Sequence, residues 1–319
     1  MQIPQYIIDS QLSSVRAGGN RPLQGSLKPG EVMGTYRKRL QGEAGYVSFV
    51  PVPIGSLEVD TSSLEGLIKE TEVALGRLDA AVSTMTEEEV SEVILKEAGD
   101  SCRLADGKYF SPFGQSVSLD GKKDEEQVET THLAEAIAYA VEALKVLPIS
   151  GRLLKNAHYL MCRSPRYEKK YPGEFRTSPV WLGKEGCTLK DASFIPPTDE
   201  DMTDAFSELE KFINMNSDLN PLVRAALVHY QFETIHPFID ANGRTGRLLN
   251  TLFLLENGII RKPVLRWSHI LWKYSDRYYM ELQRVHEIER YEGWIRFFLL
   301  SLKEAAEGSD HFPSVAQYL

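Results

Sequence analysis

Apolar positions along most of the chain recur with the period of an amphipathic helix. From Ser63 onward, Leu64, Leu67, Ile68, Val73, Leu75 and Leu78 fall at helical spacing and predict a first helix. A second is predicted from Thr86, which stands three residues before Glu89 in the arrangement of a capping box. Leu133, Ala136, Ile137, Ala140, Val141 and Leu144 share one face of a long helix over about 126–146, stopped by Pro148. A shorter pattern covers 153–161, and after Pro196-Pro197 the period returns at Met202, Ala205, Phe206, Leu209, Phe212 and Ile213. Asn220-Pro221 is an N-cap with proline at the first helical position, opening a helix through Tyr230. Later helices are predicted over about 245–257, closed by Gly258, then 268–287 and 293–306.

Two stretches follow a different grammar. The chain to about Ile54, with Gly18-Gly19 and Lys28-Pro29-Gly30, carries no helical period and reads as an arm with short extended pieces around Tyr46 to Val50. Residues 178–189 place two short apolar runs around a Gly-bounded polar turn, which predicts a β-hairpin and is the clearest strand signal in the chain. Residues 106–125 read as an exposed connection, and no internal repeat is present. The sum is a mainly α protein.

Charge narrows the function classes. With 36 Lys+Arg against 45 Asp+Glu the 319-residue chain is acidic, and no basic block supports a nucleic-acid partner held by bulk charge. The hydrophobic share of 42% belongs to a folded protein, not a disordered one. Cys102, Cys162 and Cys187 are scattered without metal-ligand spacing, and the N-terminus lacks the features of a secretory signal. No apolar run has the length of a membrane span. A cytoplasmic protein with no membrane or nucleic-acid partner is expected.

The chemistry concentrates in the run from His236 to Asn250, whose first twelve residues set a histidine, an aspartate, an asparagine, two glycines and two arginines between two helical patterns. Small residues at Ala241 and Gly243 let the backbone approach a ligand, and the turn feeds a helix N-terminus beginning near Thr245, where free N–H groups attract anions. Arg244 and Arg247 are three apart, share a face, and can grip successive phosphates. Asp240 offers a hard oxygen suited to Mg²⁺. His236 titrates nearest neutrality and is the natural general base. Neither a Walker A loop nor a dinucleotide-binding glycine turn is present, so the phosphate site is of another class.

The stretch from His236 to Arg247 resembles the signature of Fic-domain proteins, His-x-Phe-x-Asp/Glu-Gly/Ala-Asn-Gly/Lys-Arg-x-x-Arg, at every defined position. Pro172 to Arg176, the segment from Val180, Phe194 to Pro197, Ala226 to Glu233 and Arg277 to Tyr279 also look like the family's surrounding sequence, and the resemblance covers roughly 60–305. It implies a helical bundle core with a β-hairpin flap. The organisation would be an irregular arm at 1–55, an N-terminal helical region at 56–122, a catalytic domain at 123–306 and a tail at 307–319. It further implies transfer of AMP from ATP, with Mg²⁺, to a Ser, Thr or Tyr hydroxyl of a protein substrate.

By that resemblance His236 takes the hydroxyl proton and Asp240 holds Mg²⁺ against the phosphates. Asn242 and the turn from Ala241 to Gly243, leading into Thr245 and Gly246, form the anion hole, and Arg244 and Arg247 bind the β- and γ-phosphates. Phe238 anchors the loop. Tyr278 and Tyr279, with Asn250 a weaker candidate, lie near the adenine, although plain helix packing explains each tyrosine equally well. Val180, Trp181 and Leu182 clamp the target segment by strand addition, with Trp181 equally readable as a core residue. His158, His229 and His286 read as structural.

Many relatives carry an inhibitory helix, Ser/Thr-x-x-x-Glu-Gly/Asn, whose glutamate pairs with the last motif arginine. Here Ala105 falls at that glutamate, while a shift of one residue offers Asp106-Gly107 instead. With Ala105 as the counterpart, Arg247 is expected to lack an internal partner and autoinhibition to be weak or absent. Removal of AMP, transfer of another nucleotide-derived phosphate group, and a non-catalytic nucleotide-binding regulator remain as alternatives. Self-modification and a homodimer are left open by the sequence.

Overall fold

The computed structural model describes residues 33–42, 45–105, 123–183, 186–288 and 290–308. Two strands, β1 (Gly34–Arg39) and β2 (Tyr46–Pro51), pair antiparallel with Gly34 opposite Pro51 and Arg39 opposite Tyr46. Among the described residues they are the only sheet, and they lie in the segment expected to be an irregular arm. What fixes them is the burial of Phe49 against Phe194 and His286. The Phe49 N–H also donates to the Ile195 carbonyl, and Arg37 and Arg39 pair with Asp201.

The helices follow as α1 (Glu65–Ala81), α2 (Glu87–Ala105), α3 (Lys123–Leu144), α4 (Gly151–Met161) and α5 (Asp199–Asn214). They continue as α6 (Pro221–Ile235), α7 (Asn242–Glu256), α8 (Trp267–Lys273), α9 (Ser275–Ile288) and α10 (Glu292–Glu307). The capping box at α2 is formed, with Glu89 N–H on the Thr86 hydroxyl at 3.2 Å and Thr86 N–H on the Glu89 carboxylate at 2.7 Å. Asn220 caps α6 through the Leu222 N–H at 2.9 Å. Gly258, at φ 65°, closes α7 in the left-handed region that favours glycine.

Helix α6 is buried nearly all round and is the centre of the bundle, packed against α5, α7, α10 and β2. Trp294 of α10 is fully buried and donates its indole N–H to the Ala226 carbonyl. Helix α2 packs between α3 and α8 and also touches α7, so the N-terminal helical region reaches the helix that follows the motif.

Two expectations are corrected. The predicted hairpin over residues 178–189 is a single antiparallel bridge between Leu182 and Phe194. Its second apolar run does not extend because Thr188 to Asp191 closes as a turn, with the Asp191 N–H on the Thr188 carbonyl and the Thr188 hydroxyl on the Asp191 carboxylate. The helix expected over 268–287 breaks at Tyr274, whose backbone leaves the helical region. There the Tyr274 hydroxyl and the Lys273 ammonium both reach Glu304 of α10, which fixes the kink.

Candidate active site

The motif forms a tight loop joining the C-terminus of α6 to the N-terminus of α7. Four non-glycine residues of the described backbone have positive φ, and two of them bracket this loop: His236 (φ 51°) as the C-cap of α6 and Ala241 (φ 60°) as the N-cap of α7. Left-handed backbone at a residue with a Cβ costs about 1–2 kcal/mol, so tertiary contacts must hold it.

Those contacts are identifiable. Phe238 is fully buried, stacked on the His158 ring at 3.9 Å between centroids and edge-on to Phe175. Asn242 accepts the Phe238 N–H and donates to the Phe238 carbonyl, both at 2.8 Å, which closes the loop on itself. Its Oδ1 and one of its two amide hydrogens are engaged in this brace. The N–H groups of the first turn of α7, as in any helix, have no intrahelical acceptor and are available to an anion.

Arg176, 2% exposed, donates to the carbonyls of Ile235, His236, Ser178 and Pro197, while its own N–H reaches the Pro237 carbonyl. It thus satisfies orphan carbonyls at the end of α6 and sets a cation at the negative end of the helix dipole.

The three histidines read as structural stay so, and two of them support the loop. His158 must donate through Nε2 to the Asp240 carbonyl and accept the Gly173 N–H on Nδ1, since a carbonyl only accepts and an amide only donates. His229 donates to the Gly246 carbonyl and accepts from the Tyr278 hydroxyl. His286 stacks on Phe194.

His236, on the loop itself, has a ring nitrogen to spare. Its Nδ1 lies 3.2 Å from the Glu233 carbonyl and therefore carries the proton, leaving the Nε2 lone pair uncommitted. Burial pushes its pKa down to about 4, so the ring is neutral at pH 7 and can accept a proton.

The same desolvation holds His158 and His286 at about 4 and His229 at about 3, and it raises the carboxyls of Glu97 to about 8 and Glu233 to about 7. The two sets oppose each other. Below about pH 6.5 the unfolded chain binds four histidine protons that the folded chain refuses, outnumbering the two that the buried acids keep, so stability falls as pH drops toward 4. Between about 6.5 and 8 only the two acids differ, and stability declines as pH rises. Urea midpoints measured from pH 5 to 8 are expected to peak near 6.5, and a monotonic rise to pH 8 would contradict the assignment.

Asp240 is partly exposed. One carboxylate oxygen accepts the Ala241 N–H at 2.6 Å, and the other accepts from the Lys170 ammonium. Burial opposes ionisation, but Lys170, the Ala241 N–H and Arg244 together hold the carboxyl below its usual range. Arg244 is 2% exposed and faces Glu129 of α3 at 3.1 Å and the Tyr167 hydroxyl, a neutralising pair that the sequence did not reveal.

Arg247, also buried, donates to the Ser101 hydroxyl at 2.8 Å and the Ser101 carbonyl at 2.9 Å. The expectation that Arg247 lacks an internal partner is thus overturned, because α2 clasps it one turn before its end. Ala105 is the last residue of α2, and Asp106 lies outside the described residues.

The remaining candidates separate. Thr245 hydrogen-bonds the Ala241 carbonyl through both its N–H and its hydroxyl, bracing the turn. Gly246 has no room for a Cβ, which would stand 2.2 Å from the Glu233 carboxylate and 3.0 Å from the Phe232 ring. Tyr278 is 1% exposed in the core, so packing accounts for it and it offers no surface to an adenine. Tyr279 is partly buried, with its hydroxyl 3.4 Å from the Leu104 carbonyl of α2. Asn250 is buried with its Oδ1 unpartnered among the described residues. Trp181 and Leu182 are exposed, so Trp181 is not a core residue; its indole N–H holds the Cys187 carbonyl. Val180 is half-buried beside them.

The family model described as Fic/DOC family matches residues 148–254. Relatives named "Protein adenylyltransferase Fic" include one from Drosophila willistoni, 34% identical over 194 residues, covering 60% of this chain and 34% of the relative. Another, from Drosophila yakuba, is 34% identical over 137 residues, covering 42% and 24%. The chain thus spans between a quarter and about a third of the length of these relatives. A Fic family protein from Desulfovibrio desulfuricans superposes with a TM-score of 0.62 at 22% identity over 81% of this chain and 78% of that one, which shows the fold.

Proposed function

We propose that this chain, whose residues 148–254 form a Fic/DOC family domain, is a protein adenylyltransferase that moves AMP from ATP to a hydroxyl of a protein substrate. The observation that carries the reading is His236: a neutral imidazole with Nδ1 pinned by the Glu233 carbonyl and Nε2 left to accept, set beside the N-terminus of α7.

In this reading Nε2 of His236 takes the proton of the acceptor hydroxyl as its oxygen attacks the α-phosphorus. The bond from that phosphorus to the pyrophosphate oxygen breaks, and pyrophosphate leaves. The first-turn N–H groups of α7 hold the phosphate oxygens, and the buried guanidiniums of Arg244 and Arg247 supply positive charge behind them. Asn242, Phe238, His158 and Arg176 fix the loop, which places the base and the anion donors in one rigid unit.

Asp240 fits a magnesium ion through the chemistry of its donors: an ionised, partly exposed hard-oxygen ligand that already attracts a cation. Among the described residues no three His, Cys, Asp or Glu side chains gather as a metal site, so phosphates and water would supply the other ligands. When bound, the ion would offset the negative charge of the phosphates.

The bridge-closed segment from Val180 to Phe194 supports a docking role for a target strand, since Leu182 stands exposed at its edge. No helix among the described residues is long and apolar enough to cross a membrane. The free thiols of Cys102, Cys162 and Cys187 support a reducing, cytoplasmic location.

Intact mass after incubation with ATP and Mg²⁺, alone and with cell lysate, tests the function. A gain of one AMP on this chain or on a lysate protein is expected. An adduct formed only from another nucleotide would keep the site and overturn the donor, and no adduct from any nucleotide would overturn the transferase.

A further inference from the structure

Asp240 does not meet solvent as a bare carboxylate. The Lys170 ammonium stands on its Oδ2, and the two side chains are 37% and 33% exposed. Lys170 closes the 3-10 turn at Pro165–Lys170, seventy residues upstream in sequence. Its placement is fixed from several sides. The ammonium lies 5.2 Å from the centre of the Tyr167 ring. The chain then leaves the turn through Tyr171 at φ 51° and Gly173 at φ 80°, where a Cβ would stand 2.9 Å from Tyr159. The Gly173 N–H donates to His158, and His158 donates to the Asp240 carbonyl, so one buried ring ties together the two segments that carry Lys170 and Asp240.

The neighbouring charges are already matched. Glu129 faces both Arg166 and Arg244, and the Tyr167 hydroxyl fills the space between Arg244 and Glu129. That leaves Lys170 as the cation in contact with Asp240.

We propose that Lys170 is the resident counter-cation of Asp240 and competes with a divalent metal ion for its carboxylate, thereby setting the metal concentration that nucleotide binding requires. The inference rests on the functional reading above and deepens it. A carboxylate oxygen that accepts from an ammonium cannot take a divalent ion on the same lone pairs, and two cations side by side repel. Metal entry at Oδ2 therefore turns Lys170 away. The side chain can do so because it is a compact charge on a flexible stem with partial access to water.

The test is nucleotide binding by the whole chain, read with a fluorescent, non-hydrolysable ATP analogue while Mg²⁺ is titrated. In Lys170→Met the half-saturating Mg²⁺ concentration is expected to fall about twofold to fivefold, the scale of a partly exposed ion pair. Lys170→Gln should follow it, and Lys170→Arg should keep the wild-type value. An unchanged or higher midpoint in both neutral variants overturns the role of Lys170. If the wild-type chain shows no Mg²⁺-dependent binding of the analogue, the functional reading and this inference fall together, so the two failures are distinguishable. The readout involves no turnover, and Lys170 is not part of the proton-transfer step.

Discussion

His236→Ala is expected to reduce transfer of AMP by about 10³-fold, within the range of 10²–10⁴ that a positioned general base contributes. The reasoning is local. The wild-type ring reaches its single proton-accepting state because the Glu233 carbonyl claims Nδ1 and because burial keeps the imidazole neutral down to about pH 4. Alanine removes the acceptor without touching the first-turn N–H groups of α7 or the arginines. Affinity for the nucleotide analogue should therefore stay within about twofold of wild type, a loss in kcat rather than in binding. The pH profile of the wild-type reaction should be flat through neutrality and fall only as pH approaches 4. Single-turnover rates with radiolabelled ATP measure both effects, and a variant retaining more than a tenth of the wild-type rate would remove His236 from the proton-transfer step.

Glu129→Ala is expected to destabilise the fold by about 3–5 kcal/mol, the cost of leaving a buried charge unpaired. Glu129 and Arg244 are 3% and 2% exposed, and they join α3 to the first turn of α7. Without the carboxylate, Arg244 keeps the Tyr167 hydroxyl but loses the negative charge in direct contact with it in a poorly solvated setting. Replacing both partners by apolar residues, as in Glu129→Leu with Arg244→Met, should recover much of the loss, because it removes the stranded charge as well. Urea denaturation of the two single variants and the double variant forms a cycle. A Glu129→Ala loss below about 1 kcal/mol would show that the pair is effectively hydrated.

The clasp on Arg247 changes the expected role of α2. Ser101 offers a hydroxyl and a carbonyl, both neutral, where an inhibitory glutamate would offer a full negative charge. The contact orders the guanidinium without cancelling its charge, so Arg247 keeps the positive field that a phosphate chain would meet.

The motif loop was legible because its grammar is local. The histidine, the small residues of the turn and the two arginines lie within a dozen positions, although the flanking helices reach closer than the periodicity predicted, to Ile235 before the loop and from Asn242 after it. The capping signals at Thr86, Asn220 and Gly258 read correctly for the same reason. The hairpin signal after Ser178 failed because alternation of apolar and polar residues measures only the capacity to pair. The Thr188 turn took the second strand, while the pairing partner of Leu182 came from Phe194 beyond it. Conversely, β1 is largely exposed and rich in charge, so nothing within it announced a strand until Phe49 of its partner found Phe194 and His286.

The sequence by itself thus determined a mainly α chain, its helix starts, and a loop with a base, a carboxylate and two arginines at a helix N-terminus. Only the tertiary structure decided what each of those groups faces. Arg247 meets Ser101 across 146 positions, Arg244 meets Glu129 across 115, and Asp240 meets Lys170 across 70. Helix periodicity records which side of an element is buried, but not which residue of a distant element will lie against it. Charge pairing and desolvation are set by that packing.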